Sequence, residues 1–166
     1  MKLVAQIIGI IAICLWLISL QRKKKKDILI FQIIASLFYS LQYFCLFAFS
    51  AGLIDFTSAI RNIVFYFEEK KNNKISKLTL IIFITIAIFI GTLTFYSWFS
   101  ILPIIATLIY IYSLWQDNLK LTRYVFLLSD FIWLIHNLFA GAYVCVIGNI
   151  LQIIFGIVAI IRFRKD

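Results

Sequence analysis

The strongest constraint on this chain is a series of apolar runs that leave little room for anything else. Seven runs of 15 to 22 residues take up 131 of the 166 residues, so 35 remain for all loops and both termini. A membrane core about 30 Å thick needs roughly 20 residues of helix. Backbone polar groups inside that core must be hydrogen-bonded within the protein, which favours helices. The chain is therefore predicted to be an all-α membrane protein.

Charge clusters and small-residue turns bound the predicted spans. The apolar run 28–67 is too long for one crossing, and Ser50-Ala51-Gly52 is the natural place to turn it, as Gly141 is between the last two spans. Pro103 is tolerated in a first helical turn, whose amides lack intrahelical partners. The seven predicted transmembrane helices are residues 3–20, 28–49, 51–67, 78–97, 101–115, 122–139 and 142–162.

Basic residues follow alternate spans. Fourteen of the 16 Lys and Arg residues fall in four clusters, after spans one, three, five and seven, whereas the connections after spans two, four and six contain none. Cytoplasmic loops are enriched in Lys and Arg. We therefore expect an odd number of crossings, with the N-terminus outside and the C-terminus in the cytoplasm. The run Arg22–Lys26 is interpreted as a cytoplasmic loop and not as a nucleic-acid surface.

The composition excludes several classes of function. With 64% hydrophobic and 14% charged residues and a mean hydropathy of +1.04, the chain has no room for a soluble catalytic or nucleotide-binding module. The cysteines, Cys14, Cys45 and Cys145, are dispersed in apolar stretches and are interpreted as packing residues. The single histidine and the isolated carboxylates form no metal-ligand or acid-base set, so no catalytic site, metal or cofactor is expected.

The two halves of the chain share a pattern. Gln42 precedes Gly52 by ten residues and His136 precedes Gly141 by five, each in an aromatic-rich span that closes with Ala-Gly. Two equivalent units of three helices need one extra span between them to start from the same side, as in SWEET carriers, whose substrate lies near the membrane midplane. The predicted organisation is two parallel three-helix bundles, 1–67 and 101–166, joined by a linker helix, 78–97.

Polar side chains recur at helical spacing on four spans. Either they line a hydrated cavity for a neutral or zwitterionic solute, or they form hydrogen bonds that hold the helices together, and both interpretations stay open. The faces are Gln32, Ser36, Tyr39 and Tyr43; Asp55, Ser58 and Asn62; Asp130, Trp133 and Asn137; and Asn149 with Gln152. The candidate pathway residues are Gln42, Asp55, Trp133, His136, Asn137 and Asn149.

Two charges lie at similar depth in different halves. Arg61 and Asp130 are both about 9–12 Å below the inner surface at 1.5 Å per residue. They are predicted to form either a gate that opens and closes or a static pair between helices. A third interpretation is that the long Arg61 side chain extends to the cytoplasmic interface. His136 is interpreted either as a hydrogen-bonded structural residue or as a proton carrier.

Several motifs resemble those of one family. The chain has Ala5-Gln6 and Gly9, Ala51-Gly52 followed by Ala59-Ile60-Arg61, Leu102-Pro103, and Trp133-Leu134-Ile135-His136-Asn137 before Ala140-Gly141. It resembles the bacterial inner-membrane YgjV family nearly end to end. The resemblance implies a bacterial inner-membrane location, a distant similarity to SWEET and PnuC carriers, and movement of a small solute. Gln42 stands where the family often has histidine and Asn149 where an acidic residue is expected, which argues against proton coupling.

The function expected is therefore facilitative transport of a small neutral or zwitterionic solute by alternating access. The alternative is a non-transporting membrane sensor, scaffold or assembly factor. An enzyme is not expected, because paired acids or a nucleophile with its base are not evident. The expected partners are the lipid bilayer and a small polar solute, with a homo-oligomer left open and nucleic acid excluded.

Overall fold

The chain folds into helices throughout its described part. The computed structural model describes residues 2–47, 49–72, 74–93, 95, 98–139 and 143–163. These residues form seven α-helices and one short 3-10 helix, without a strand, so the all-α prediction is confirmed. The α-helices are α1 (Lys2–Leu20), α2 (Lys25–Cys45), α3 (Phe49–Asn72), α4 (Lys77–Leu93), α5 (Ile101–Trp115), α6 (Leu119–Phe139) and α7 (Tyr143–Arg162), and the 3-10 helix is Trp98–Ser100.

Three helices are long and apolar enough to cross a membrane, within the part of the chain that is described. They contain the segments Leu3–Leu20, Lys25–Cys45 and Cys145–Arg162. The apolar helices α4 and α5 are shorter, at 17 and 15 residues.

Some helices extend beyond the apolar runs that predicted them. α3 continues to Asn72, five residues past its predicted end, and α6 begins at Leu119, three residues before its predicted start. Hydropathy marks the part of a helix that suits lipid, whereas helical hydrogen bonding continues through charged residues. α4 ends at Leu93, and the predicted end of that span at residue 97 lies outside the described residues, as does the predicted turn at residues 140–141.

The turn between α2 and α3 corrects the prediction at Ser50-Ala51-Gly52. α2 ends at Cys45 and α3 already begins at Phe49, so the small residues belong to the helix. Phe47 has a φ of 61°, a left-handed conformation that ends helices and that glycine adopts far more readily. Gly52 instead allows close packing: a Cβ there would lie 2.7 Å from Cε1 of Phe44, and Ser40 Oγ donates to the Gly52 carbonyl at 2.8 Å.

The helices group into two compact units, residues 1–73 and 74–166. In the first unit α2 packs against both α1 and α3. The buried side of α1 includes three small residues, Ala5, Gly9 and Ala12, at i, i+4 and i+7, and ends with Ser19 and Leu20. Lipid tails are as apolar as the helix surfaces, so helices associate in membranes through such close approach and van der Waals contact.

An ion pair and a hydrogen bond define the register of α2 against α3. The Lys25 ammonium lies 3.5 Å from Glu69 Oε2, with both side chains largely buried, and the Ser40 bond to Gly52 joins the opposite ends of the same helices. The helices are therefore antiparallel. The segment that precedes α2 shares one end of the first unit with the last turn of α3.

The second unit is a series of helix pairs, α4 with α5, α5 with α6 and α6 with α7. A Cβ at Gly91 of α4 would lie 2.6 Å from Ile104 Cγ1 of α5, so this glycine lets the two helices approach. The Trp115 indole donates to the Ile75 carbonyl at 3.0 Å, and Lys74 lies 3.5 Å from Asp117. These contacts place the start of α4 at the same end of the unit as the α5–α6 connection.

Further contacts align α5, α6 and α7. Ser129 Oγ donates to the Ala106 carbonyl at 2.9 Å, and the ring centroids of Tyr110 and Phe126 are 5.2 Å apart. The Arg123 guanidinium lies 4.3 Å from the ring centroid of Phe163. The end of α7 therefore lies beside the start of α6, and the described basic segments of the second unit also share one end.

We expect Gly52→Ala to destabilise the protein by about 1–3 kcal/mol, because the new methyl group overlaps a confined aromatic ring and overpacking has this magnitude. Gly148→Ala is the matched control, since a Cβ there meets no atom within 4 Å. The unfolding of purified protein in detergent micelles measures both. Equal stability of the two variants would contradict the assignment of Gly52 as a packing residue.

Candidate functional site

Two amide side chains are buried at the same level of the first unit. Gln32 on α2 and Asn62 on α3 each have a relative exposure of 0%. Gln32 follows Lys25 by seven residues, and Asn62 precedes Glu69 by seven. Because Lys25 and Glu69 contact each other and the helices are antiparallel, the two amides lie level with each other. We call Gln32 and Asn62 the amide pair.

The amide pair is incompletely hydrogen-bonded. Gln32 Nε2 and Oε1 and Asn62 Nδ2 are buried without a hydrogen-bond partner in the described structure. Such a group costs about 1–3 kcal/mol in proteins, and most buried polar groups are therefore paired. The three atoms comprise two NH₂ donors and one carbonyl acceptor. They can bind water or a small hydrogen-bonding solute.

A buried charge adjoins the amide pair. Arg61 is 5% exposed, and its Nε donates to Asn62 Oδ1 at 3.2 Å. The positive charge of Arg61 also acts on the half-buried Asp55, one of the candidate pathway residues on the same helix. Arg61 therefore has interaction partners within its own unit. Its predicted pairing with Asp130 stays a prediction.

Gln42 lies where α1 meets α2. A Cβ at Gly9 would be only 2.4 Å from Gln42 Nε2, so the glycine leaves room for this amide. No hydrogen bond joins Gln42 to Asp55 in the described residues.

The amides of the second unit are paired with each other. Asn137 Nδ2 donates to Asn149 Oδ1 at 2.7 Å, and Asn149 Nδ2 donates to Gln152 Oε1 at 3.4 Å. Asn137 and Asn149 are both buried. The structure thus brings together two candidate pathway residues from α6 and α7. Their bond is of the kind that holds membrane helices together.

Asp130 lies on the buried face of α6, as predicted, with a relative exposure of 9%. On α6, Asp130 lies midway between Arg123 and Asn137, which contact Phe163 and Asn149 of α7. Gly156 lies midway between those two residues of α7, so Asp130 is level with this glycine. Within the described structure the carboxylate has no hydrogen bond or ion pair.

Trp133 and His136 contact each other. Their ring centroids are 5.8 Å apart in an edge-to-face arrangement, and both side chains are half-buried. His136 Nδ1 is buried without a hydrogen-bond partner in the described part of the chain. The described geometry gives this histidine an aromatic neighbour. The alternative between structural residue and proton carrier stays open.

Three residues are more central in the structure than their sequence pattern indicates. Helical spacing places Gln32 and Asn62 only on polar faces, and clustering places Arg123 only in a basic loop, although its side chain is buried against Phe163. A glutamine one third of the way along an apolar helix was the available signal for Gln32. Nothing in the sequence indicated the position of Arg123. No group of three His, Cys, Asp or Glu side chains in the described residues is arranged to hold a metal ion.

Comparison with known proteins identifies the family. The chain matches no curated protein and no solved structure. A family model described as a bacterial inner membrane protein, Imp-YgjV, matches residues 3–166, which is nearly the whole chain. The protein therefore belongs to the Imp-YgjV family of bacterial inner membrane proteins.

Proposed function

We propose that this protein is a facilitative carrier of a small neutral or zwitterionic solute. In this proposal two parallel three-helix bundles, residues 1–67 and 101–166, are joined by α4 and alternate their access to the two sides of the membrane, as in SWEET and PnuC carriers. The N-terminus is outside and the C-terminus is in the cytoplasm. Seven crossings require α4 and α5 to span despite their shorter lengths, and also α3 and α6, which are not among the three helices that are long and apolar enough by themselves.

The amide pair is the observation that carries this proposal. Amides that only hold membrane helices together are expected to bond to each other, because an unsatisfied polar group in a dry interior costs free energy. Gln32 and Asn62 lie at one level of adjacent helices, yet three of their four polar atoms lack a partner in the described structure. A solute that presents both donors and acceptors would satisfy these atoms while it passes.

The chemistry of the neighbouring groups supports the solute class. Amides donate and accept hydrogen bonds without carrying charge. Arg61 and Asp55 add one basic and one acidic group on α3, the helix that carries Asn62. A neutral or zwitterionic molecule suits this set better than a strongly charged one. The proposed pathway includes the amide pair and the candidate residues Gln42, Asp55, Trp133, His136, Asn137 and Asn149, with Arg61 and Asp130 as the gate.

The charge distribution supports the repeat and the orientation. In the first unit the basic segment before α2 lies at the same end as the basic end of α3. In the second unit the start of α4, the α5–α6 connection and the end of α7 also share one end. Each unit thus has one basic end, and the positive-inside rule assigns such ends to the cytoplasm.

A non-transporting scaffold or sensor is the second candidate, and the second unit favours it. Asn137, Asn149 and Gln152 bond to each other, as expected of residues that only hold helices in place. The first unit favours the carrier because Gln32 and Asn62 do not bond to each other in the described structure. Substitutions in the two sets of amides therefore separate the two functions.

We expect Gln32→Leu and Asn62→Leu to abolish most solute flux. Gln32→Leu should cause no loss of stability, whereas Asn62→Leu should cause some, because it also removes the acceptor of the hydrogen bond from Arg61 Nε. Replacing an unsatisfied buried amide with an apolar group of similar size is nearly neutral or stabilising. Flux is measured as the swelling of proteoliposomes in gradients of glycerol, glucose, alanine or betaine, and stability as unfolding in detergent. Gln6→Leu, at an exposed position on α1, is the matched control.

The outcomes distinguish the two functions. A carrier predicts that wild type and Gln6→Leu accelerate swelling for at least one solute and that the amide variants do not. No acceleration by the wild type for any solute would contradict transport. Marked destabilisation by Gln32→Leu would indicate that this amide serves packing.

We expect the hydrogen bond between Asn137 and Asn149 to stabilise the second unit, whether or not the two residues also line the pathway. Each single substitution by Leu leaves a buried amide without its partner and should cost about 1–3 kcal/mol. The double variant should lose less free energy of unfolding than the two single variants lose together, with a coupling energy of about 0.6–1.7 kcal/mol. Unfolding measurements on the four proteins of this cycle give the coupling. Additive effects would show that the bond between the two side chains contributes nothing.

A further inference from the structure

A dense basic surface forms one end of the first unit. Arg22–Lys26, before and at the start of α2, lies beside Lys70 and Lys71 at the end of α3, because Lys25 contacts Glu69. We call these seven residues the basic end. The Arg22 guanidinium lies 4.4 Å from the ring centroid of Phe31, which holds the connection between α1 and α2 against the side of α2.

The basic end has more positive charge than its acidic neighbours can neutralise. Asp27, Glu68 and Glu69 are the acidic residues within the same stretches of sequence, against seven basic ones. Glu69 is largely buried and is engaged by Lys25. The side chains of Lys24, Lys70 and Lys71 are exposed at the surface. An anionic partner outside the described chain would complement this charge.

The position of some of these charges is unfavourable within the isolated unit. Lys25 and Lys26 occupy the first turn of α2, where the helix dipole favours negative charge, and Asp27 is the one acidic residue in that turn. Lys24 at the N-cap makes no side-chain capping bond. Repulsion among clustered lysines adds to this disadvantage. A negatively charged group bound at the basic end would offset both effects.

Exposed apolar residues adjoin two lysines of the basic end, the exposed Lys70 and the half-buried Lys26. Phe67 lies three residues before Lys70 on α3, and Ile30 lies four residues after Lys26 on α2, and both are exposed. A soluble anion would contact only the charges. A phospholipid can place its headgroup on the lysines and its acyl chains against the adjoining apolar surface, so the combination fits a lipid.

We propose that the basic end of the first unit binds the headgroup of an anionic phospholipid. The lysines contribute through charge and the exposed Phe67 and Ile30 through acyl-chain contact. Basic clusters next to membrane helices attract anionic lipids in this manner, by about fivefold in affinity for each lysine. The site is independent of solute transport, and its binding is measurable on protein that transports nothing.

The test compares two triple variants that remove equal charge from exposed positions. K24Q/K70Q/K71Q changes the basic end, and K74Q/K77Q/K120Q changes lysines of the second unit, one of which is already paired with Asp117. Each protein is equilibrated with mixed micelles of phosphatidylglycerol and phosphatidylcholine. Native mass spectrometry then gives the ratio of the two lipids that remain bound.

The wild type should be enriched in phosphatidylglycerol. K24Q/K70Q/K71Q should lower this enrichment by roughly tenfold or more, since three lysines are removed. The control triple and the charge-retaining K24R/K70R/K71R should preserve most of it. Circular dichroism checks that every variant is folded, and single substitutions at Lys24 and Lys70 replace any triple that is not.

Three results would overturn the proposal. The first is a wild type without preference for phosphatidylglycerol. The second is an equal loss in the two glutamine triples, which would indicate a general charge effect. The third is complete displacement of the lipid by inorganic phosphate at matched ionic strength, which would indicate a site for a soluble anion.

Discussion

The requirement that polar groups find partners away from water governs this structure. The backbone meets it by forming helices throughout the described chain. Side-chain amides meet it unequally: Asn137 and Asn149 bond to each other, whereas Gln32 and Asn62 keep unsatisfied atoms at one level of the first unit. This contrast within one protein connects the fold to the proposed carrier function, because a pathway needs polar atoms that remain available to its solute.

Small residues allow the helices to approach closely where lipid provides no hydrophobic drive for association. Gly9 makes room for the Gln42 amide on α2, Gly52 receives the Phe44 ring and Gly91 receives Ile104. These three glycines lie within helices and serve close packing, not turns. At Gly9 the same feature that packs two helices also positions a candidate pathway residue.

The sequence predicted what hydropathy and helical periodicity determine, namely the all-helical fold, the approximate spans and the buried positions of Gln32, Asn62 and Asp130. It misplaced the turn before α3, because Phe47 adopts a left-handed conformation that its residue type does not indicate. It also could not decide which amides are paired. Periodicity gives the face of each helix, whereas pairing depends on the register between helices, which the turns and the contacts at the helix ends determine.

Access of water to the amide pair tests the central claim most directly. In a variant without the native cysteines, Asn62→Cys is treated in membranes with a small, charged, membrane-impermeant thiol reagent, and Phe65→Cys, at an equally buried apolar position on the same helix, serves as the control. Alternating access predicts modification of the cysteine at position 62 and little at position 65. Protection of both cysteines, with full modification after unfolding, would contradict a pathway through the first unit.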